Sequence, residues 1–362
     1  MQISFLQLLV SAIVCQCAFA FRPVVRSLGA RPMSMMSMSS TDKKRVVIVG
    51  ATGYIGKFVV KEAVSRGYDT VAVIRPGSNS QQDYLKGASI VNADVTDEES
   101  LRTAVFDKPA DVVISCLASR SGIKSDSYLI DYQATLNSLN AAKADGNLDQ
   151  FILLSAFCVQ KPTLQFQKAK LLFEAALQDA QKVGGVNKYS IVRPTAFFKS
   201  VSGQFELLQQ GWPFVMFGDG EICQCNPIAE SDLAAYMLNC IDEEDKWNKI
   251  LNLGGPDDGM TMKQQGEMIF DILGKEPKFW TAPIGVFDAV IGAFAFFGKF
   301  FQGAEDAAEL GRIGKYYAVE DMLTTTPTEK FGKTTLRQHY ERINVEGQEY
   351  DPYTTMFSAK KE

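Results

Sequence analysis

"KKRVVIVGATGYIGKFVVKEAVSRG", residues 43–67, reads as a strand, a tight glycine turn and a helix. Val46, Val47, Ile48 and Val49 form the short β-branched run that a parallel strand buried on both faces requires. Gly50, Gly53 and Gly56 follow at G-x-x-G-x-x-G spacing. The first glycine permits the turn. The second lets backbone approach a pyrophosphate closely, and the third lets helix and strand pack. A helix starting near Tyr54 aims unpaired N–H groups and a positive dipole end at the phosphates. Thr52, Tyr54 and Ile55 fill the turn and join the glycines as cofactor-binding candidates. A glycine pattern in this strand-turn-helix setting predicts a dinucleotide site.

The chain downstream repeats the same unit. "TVAVIR" (70–75) is a second strand ending in Arg75. An NAD binder carries Asp or Glu there for the ribose 2′-hydroxyl, whereas an arginine accommodates a 2′-phosphate, so the residue selects NADPH. "ASIVNADVTD" (88–97) is a third strand, with Asp94 and the Val95 amide placed to meet the adenine. "ADVVISCLAS" (110–119) is a fourth, with Leu117 and Ala118 at the carboxyl edge, where ligands sit in open α/β sheets. "DQFILLSAF" (149–157) and "YSIVRPTAFF" (189–198) are the fifth and sixth, and Pro194 and Thr195 reach the same edge. Strands alternating with helical stretches predict an α/β fold, a Rossmann-type doubly wound parallel sheet with a smaller C-terminal α/β substrate region. The expected division is a leader over 1–41, an NADP-binding core over 42–200, an interleaved substrate-binding region over 201–345 and a polar tail over 346–362.

"TLQFQKAKLLFEAALQDAQK" (163–182) has helical periodicity. At about 100° per residue, Phe166, Ala169, Phe173, Ala176, Leu177 and Ala180 share one stripe. Lys170 falls about 40° from Phe166, inside the stripe, and Lys168 falls on the opposite side. An ammonium among apolar neighbours is costly to desolvate without a partner. Lys170 therefore needs one, and a nicotinamide ribose offers hydroxyl acceptors. A lysine snorkelling from the stripe edge is the plainer alternative. Phe166 either packs in the core or lines the pocket.

The glycine turn, Ser155 after strand five, Phe166-x-x-x-Lys170 and Arg193-Pro194 after strand six together resemble an atypical short-chain dehydrogenase/reductase. In that family a tyrosine stands where Phe166 stands, as general acid or base toward a carbonyl oxygen. Phenylalanine cannot fill the role, so the resemblance implies hydride transfer to a C=C bond rather than to C=O. Three longer stretches, 153–177, 189–236 and 311–323, closely resemble the NADPH-dependent plant-type divinyl chlorophyllide 8-vinyl-reductases. The similarity runs from residue 44 to about 345. It implies reduction of a tetrapyrrole vinyl group to ethyl, inside plastids, with NADPH. The conjugated ring delocalises charge after hydride addition, which makes the missing phenol intelligible. Cys158, Lys168 and water are the candidate proton donors, with Lys168 disfavoured by its wheel position. A reductase of another conjugated alkene, and a non-catalytic NADPH-binding sensor or photosystem assembly factor, are the rival readings.

Composition narrows the partners. The 362-residue chain is 46% apolar with a formal charge of −5, and the acid-free first 41 residues hold Arg22, Arg26 and Arg31, so the remainder is more acidic still. No basic run favours nucleic acid. One histidine, His339, argues against a histidine metal site or a Ser-His hydrolase and is expected at the surface. Seven cysteines, Cys15 and Cys17 among them in the leader, show no disulfide spacing. Cys223 and Cys225 alone cannot fill a tetrahedral metal site, so no protein metal is expected. Residues 3–20 read as a secretory segment ending Ala18-Phe19-Ala20, and 21–40 as transit-peptide composition. Together they resemble the bipartite leader of plastids with additional envelope membranes. In the C-terminal half, "GWPFVMFGDGEI" (211–222) predicts a hairpin, Ser231 a helix N-cap, and Thr261 a cap on a helix to Leu273. The apolar stretch 283–301 has three readings: pocket wall, peripheral contact with a membrane surface, or core. The oligomeric state is left open.

Overall fold

A computed structural model describes residues 43–348 except 145, 147, 286–287, 289–290, 293–301 and 321–327. The expected leader, most of the apolar stretch 283–301 and the tail beyond 348 lie outside the described residues.

β1 (Arg45–Val49) has four residues fully buried, as its continuous apolar run requires. It is followed by α1 (Gly56–Ser65), β2 (Asp69–Ile74), β3 (Ser89–Asn92), α2 (Glu98–Ala104) and β4 (Val112–Ser115). Next come α3 (Thr135–Lys143), β5 (Gln150–Leu154), α4 (Gln165–Lys182) and β6 (Lys188–Pro194). All six strands pair in parallel, with β1 between β2 and β4. The chain runs outward from β1 through β2 to β3, then restarts at β4 and runs the other way through β5 and β6. The crevice between β1 and β4 is thus the switch point at which such sheets bind ligands.

The C-terminal half is threaded back into this sheet. β7 (Phe214–Phe217), β8 (Gln224–Cys225), α5 (Glu230–Asn239) and β9 (Lys249–Gly254) follow β6. After them come β10 (Met260–Thr261), α6 (Met262–Leu273), β11 (Phe279–Ala282), α7 (Gln302–Val319), β12 (Glu329–Lys330) and α8 (Leu336–Glu346). β9 pairs with β6 and β12 with β9, giving an eight-stranded sheet in the order β12-β9-β6-β5-β4-β1-β2-β3. One apolar layer joins α1 and α5 to the sheet through Val59, Val60, Leu233 and Met237. The other joins α2, α3 and α4 through Leu101, Leu139, Phe173 and Leu177.

Two local expectations in this half are corrected. Gly218 and Gly220 do turn the chain with positive φ, but the flanking segments do not pair with each other. β7 instead runs parallel to β11, and β8 antiparallel to β10. The rings of Phe214, Phe270 and Phe279 pack together there, so burial of an aromatic cluster outweighs the local turn. α5 starts at Glu230 with Ala229 as N-cap, so Ser231 lies inside the first turn. The Glu230 carboxylate accepts from the Lys199 amide at 3.2 Å and from the Tyr54 phenol, which fixes the start of the helix. Thr261 caps α6 as expected, its hydroxyl accepting from the Gln264 amide at 3.2 Å while the Gln264 side chain returns a bond to the Thr261 amide.

His339 is buried at 8% exposure on α8, not at the surface. Ser202 Oγ donates to the Phe198 carbonyl at 2.6 Å and stands 3.1 Å from His339 Nε2. Its proton is thus committed elsewhere, so Nε2–H donates to Ser202 and Nδ1 accepts from Arg342 at 3.3 Å. That polarity is the reverse of a hydrolase, in which the imidazole takes the serine proton. Burial, then the Arg342 charge, pulls the imidazole from 6.5 down to about 4. The unfolded chain binds a proton below 6.5 that the folded chain refuses until about 4, so stability falls as pH drops through that window. The expected loss is about 3 kcal/mol. His339→Gln should flatten it. The chain has one histidine, so the proton NMR titration reports this site alone, and an apparent value near 6.5 would refute the burial.

Candidate active site

The glycine turn closes on itself. The Gly53 amide donates to the Gly50 carbonyl at 2.9 Å. Gly50 has φ +77°, and a Cβ there would lie 2.8 Å from the Cys116 carbonyl carbon. A Cβ on Gly56 would lie 2.0 Å from the Gly50 oxygen. The bare backbone leaves a cradle at the N-terminus of α1, where pyrophosphate binds in such folds, so these residues fit a dinucleotide. Thr52 is half-buried and Ile55 is buried in the turn. The Tyr54 side chain leaves the turn. Its phenol donates to Glu230, and the Lys199 ammonium sits 4.4 Å above its ring. Its contribution to the cradle is backbone.

The remaining cofactor candidates line the same carboxyl edge. Arg75 is exposed one residue beyond β2. The Asp94 carboxylate accepts from the Thr96 hydroxyl and amide at 2.7 and 2.9 Å. Those bonds, with a smaller contribution from Arg75, hold it below the usual carboxylate range. Asn137 on α3 donates to the Val95 carbonyl at 3.2 Å. Leu117 is buried and Ala118 is exposed beyond β4. Pro194 ends β6, and Thr195 is held by the Asn226 carbonyl at 2.7 Å.

Lys170 is buried at 8%, and Lys168 is exposed on the far side of α4. The Lys170 ammonium stands 3.0 Å from Asp131 Oδ1. Asp131 was not anticipated. It sits in a π-helical turn, Tyr128–Ala134, between Lys124–Ser127 and α3. Sequence periodicity does not reveal the inserted residue of such a turn. A second buried network was also missed. Ser155 Oγ donates to Glu174 Oε1 at 2.5 Å, and Arg193 grips the same carboxylate with two nitrogens. Glu174 lies one helical turn beyond Lys170, and Arg193 is a charge ending an apolar strand. That pairing of opposite signs was the available signal.

An apolar cluster gathers where the N-terminal end of α4 meets α7. Cys158, Leu164 and Tyr316 are buried together, with Ala156, Phe166, Cys225 and Ile313 against them. The cluster is pinned through the Cys158 carbonyl, which accepts from Gln167 and from the Tyr316 phenol, each at 3.0 Å. Glu309 on α7 caps α4 by accepting from the Gln165 amide at 2.8 Å. α7 thus brings a phenol, Tyr316, into the cluster that holds Phe166, where sequence reading expected none. The Cys158 thiol itself is buried. Burial pushes that thiol up to about 11, with Gln167 and the Lys170 charge pulling the other way. Cys223 and Cys225 are not joined in a disulfide. Cys225 accepts from Gln265 at 3.3 Å, and Cys223 points to the Ala318 carbonyl at 3.7 Å. Among the described residues no group of His, Cys, Asp or Glu could hold a metal ion, and no helix is long and apolar enough to cross a membrane.

Three comparisons bear on this geometry. The sequence profile of the NAD(P)H-binding family matches residues 50–244. The chain is 50% identical over 321 residues to the chloroplastic divinyl chlorophyllide a 8-vinyl-reductase of Cucumis sativus, covering 83% of this chain and 76% of that protein. It is 48% identical to the Arabidopsis thaliana protein of the same name, covering 83% of this chain and 77% of that one. Among solved structures, an NADPH-dependent quinone oxidoreductase of Escherichia coli superposes with a TM-score of 0.60. It is 20% identical and covers 83% of this chain and 99% of that one.

Proposed function

Because the chain belongs to the NAD(P)H-binding family of divinyl chlorophyllide a 8-vinyl-reductases, we propose that it reduces the 8-vinyl group of a divinyl chlorophyllide or protochlorophyllide to ethyl with NADPH. The observation that carries the chemistry is a retained, buried Lys170 beside a Phe166 that has no proton to give. Ser155, the other group able to polarise a carbonyl, directs its proton into the Glu174 carboxylate. At the two positions from which this fold donates to a carbonyl, Phe166 has no proton and Ser155 is committed, and the nearby Tyr316 phenol is committed to the Cys158 carbonyl, whereas a conjugated alkene needs no such donor.

In this reading the Gly50–Gly56 cradle, Arg75, Asp94, Val95, Leu117, Ala118, Thr195 and Lys170 hold NADPH, which when bound supplies the hydride. Conversion of vinyl to ethyl breaks one C–C π bond and forms two C–H bonds, one from hydride and one from a proton. Cys158 is the proton source. Burial raises its pKa and keeps the thiol protonated at working pH. Phe166, Ile313 and Cys225 form the apolar wall for a flat ring. Residues 42–200 serve the cofactor and 201–345 the substrate. The porphyrin magnesium arrives with the substrate. The protein works in the plastid, and its first 41 residues act as a two-step leader.

The test is to incubate protein with NADPH and divinyl chlorophyllide, follow cofactor absorbance and separate the pigments. Monovinyl product formed in proportion to NADPH consumed is expected. NADPH bound without turnover would leave a sensor of the same fold, and turnover only with other conjugated alkenes would move the substrate class. Cys158→Ala should lower kcat about 10²-fold with NADPH affinity unchanged. An unaltered kcat would transfer the proton to water.

A further inference from the structure

The partner of Lys170 has a part of its own. The Asp131 side chain is 1% exposed, deeper than the Lys170 side chain at 9%. Asp131 Oδ1 is sealed from solvent and has no aligned hydrogen-bond donor, although the ammonium stands 3.0 Å away. The contact is thus a close ion pair, and an ammonium carries two further N–H groups beyond the one that a single carboxylate oxygen can take. Oδ2 accepts from the Ser119 amide at 3.3 Å, in the loop that follows Leu117 and Ala118. One carboxylate ties the α4 lysine to the cofactor edge of β4. The π turn is what carries it there. Its loosened backbone is stitched by the Thr135 hydroxyl, which donates to the Ile130 carbonyl at 3.1 Å. A ligand hydroxyl cannot reach a sealed Oδ1, so Asp131 acts through Lys170.

Charge gives this arrangement a consequence beyond geometry. The nicotinamide ring is neutral in NADPH and cationic once oxidised. A lone ammonium beside it would oppose the charge gained when hydride leaves, whereas an ammonium balanced by a carboxylate does not. We propose that Asp131 is a positioning residue that keeps the nicotinamide end of the site electrically neutral, so that oxidation of the cofactor is not resisted there. The inference rests on the reading that places the nicotinamide beside Lys170.

The test compares affinities of the two cofactor forms, by NADPH fluorescence and by NADP+ competition, in the full chain. Asp131→Asn leaves a net positive charge and should raise the ratio of the NADP+ to the NADPH dissociation constant about tenfold or more. Lys170→Met leaves a net negative charge and should lower the ratio. The double variant, again neutral, should return it near the wild-type value. A purely structural Asp131 would weaken both forms together, and an unmoved ratio in Asp131→Asn sinks the proposal. If Asp131→Asn does not fold, the opposite shift in Lys170→Met and its reversal in the double variant decide the matter. Wild-type protein that binds no NADPH would instead overturn the cofactor reading itself.

Discussion

Lys170→Met is expected to lower kcat/KM for the divinyl substrate by at least about a hundredfold, the scale on which loss of alignment at a hydride-transfer site operates. The ammonium is the one buried cation at the pocket whose described partner is a single carboxylate reached without an aligned hydrogen bond. Its donors are therefore those most readily offered to the ribose hydroxyls. The same change leaves Asp131 charged and buried with no counter-ion. Breaking a buried pair from one side costs about 3–5 kcal/mol, whereas replacing both members by apolar groups is often neutral. Lys170→Met should thus melt well below wild type, and Lys170→Met/Asp131→Leu should recover most of the melting temperature and none of the turnover. That separation matters, because a variant that is merely unstable would regain activity with stability. Near-normal turnover in a folded Lys170→Met protein would remove the lysine from the mechanism.

Gly56→Ala is the second large effect. The added carbon would lie 2.0 Å from the Gly50 oxygen, and backbone on both sides leaves no flexible side chain to yield. Either α1 shifts away from β1 or the turn opens. Overpacking of this kind costs about 1–3 kcal/mol, and either movement displaces the amides that face the pyrophosphate. NADPH binding measured by fluorescence should be lost or weakened by more than about a hundredfold. Gly285→Ala is the matched control, because a Cβ there meets nothing within 4 Å. Equal NADPH affinity in the two variants would mean that the cradle is not the binding site.

How legible the molecule was depended on how local each determinant is. The first six strands and their edge could be read because each buried parallel strand is its own apolar run and the glycine spacing is a single turn long. The need of Lys170 for a partner could be read from a helical wheel. The identity of that partner could not, because Asp131 comes from a distant element through a turn with an extra residue. His339 was misjudged and Glu174 went unremarked for one reason: residue type predicts exposure on average, and both are buried with partners contributed from other segments. The parallel pairing of β7 with β11 was hidden by a good local turn signal at Gly218 and Gly220. Tyr316 lies in a stretch that carried the family resemblance, yet only the packing of α7 on α4 turns it toward Cys158.

The return of β9 and β12 to the main sheet has a bearing on biogenesis. A nascent or truncated chain ending at residue 200 would present β6, with its apolar run, as an open edge ready to pair with any extended neighbour. β9 covers that edge. It is itself covered by β12, where Glu329 also receives the Tyr236 phenol at 2.5 Å. Completion of the nucleotide-binding half therefore waits on segments synthesised last. Fragments of the nucleotide-binding half made alone are expected to aggregate.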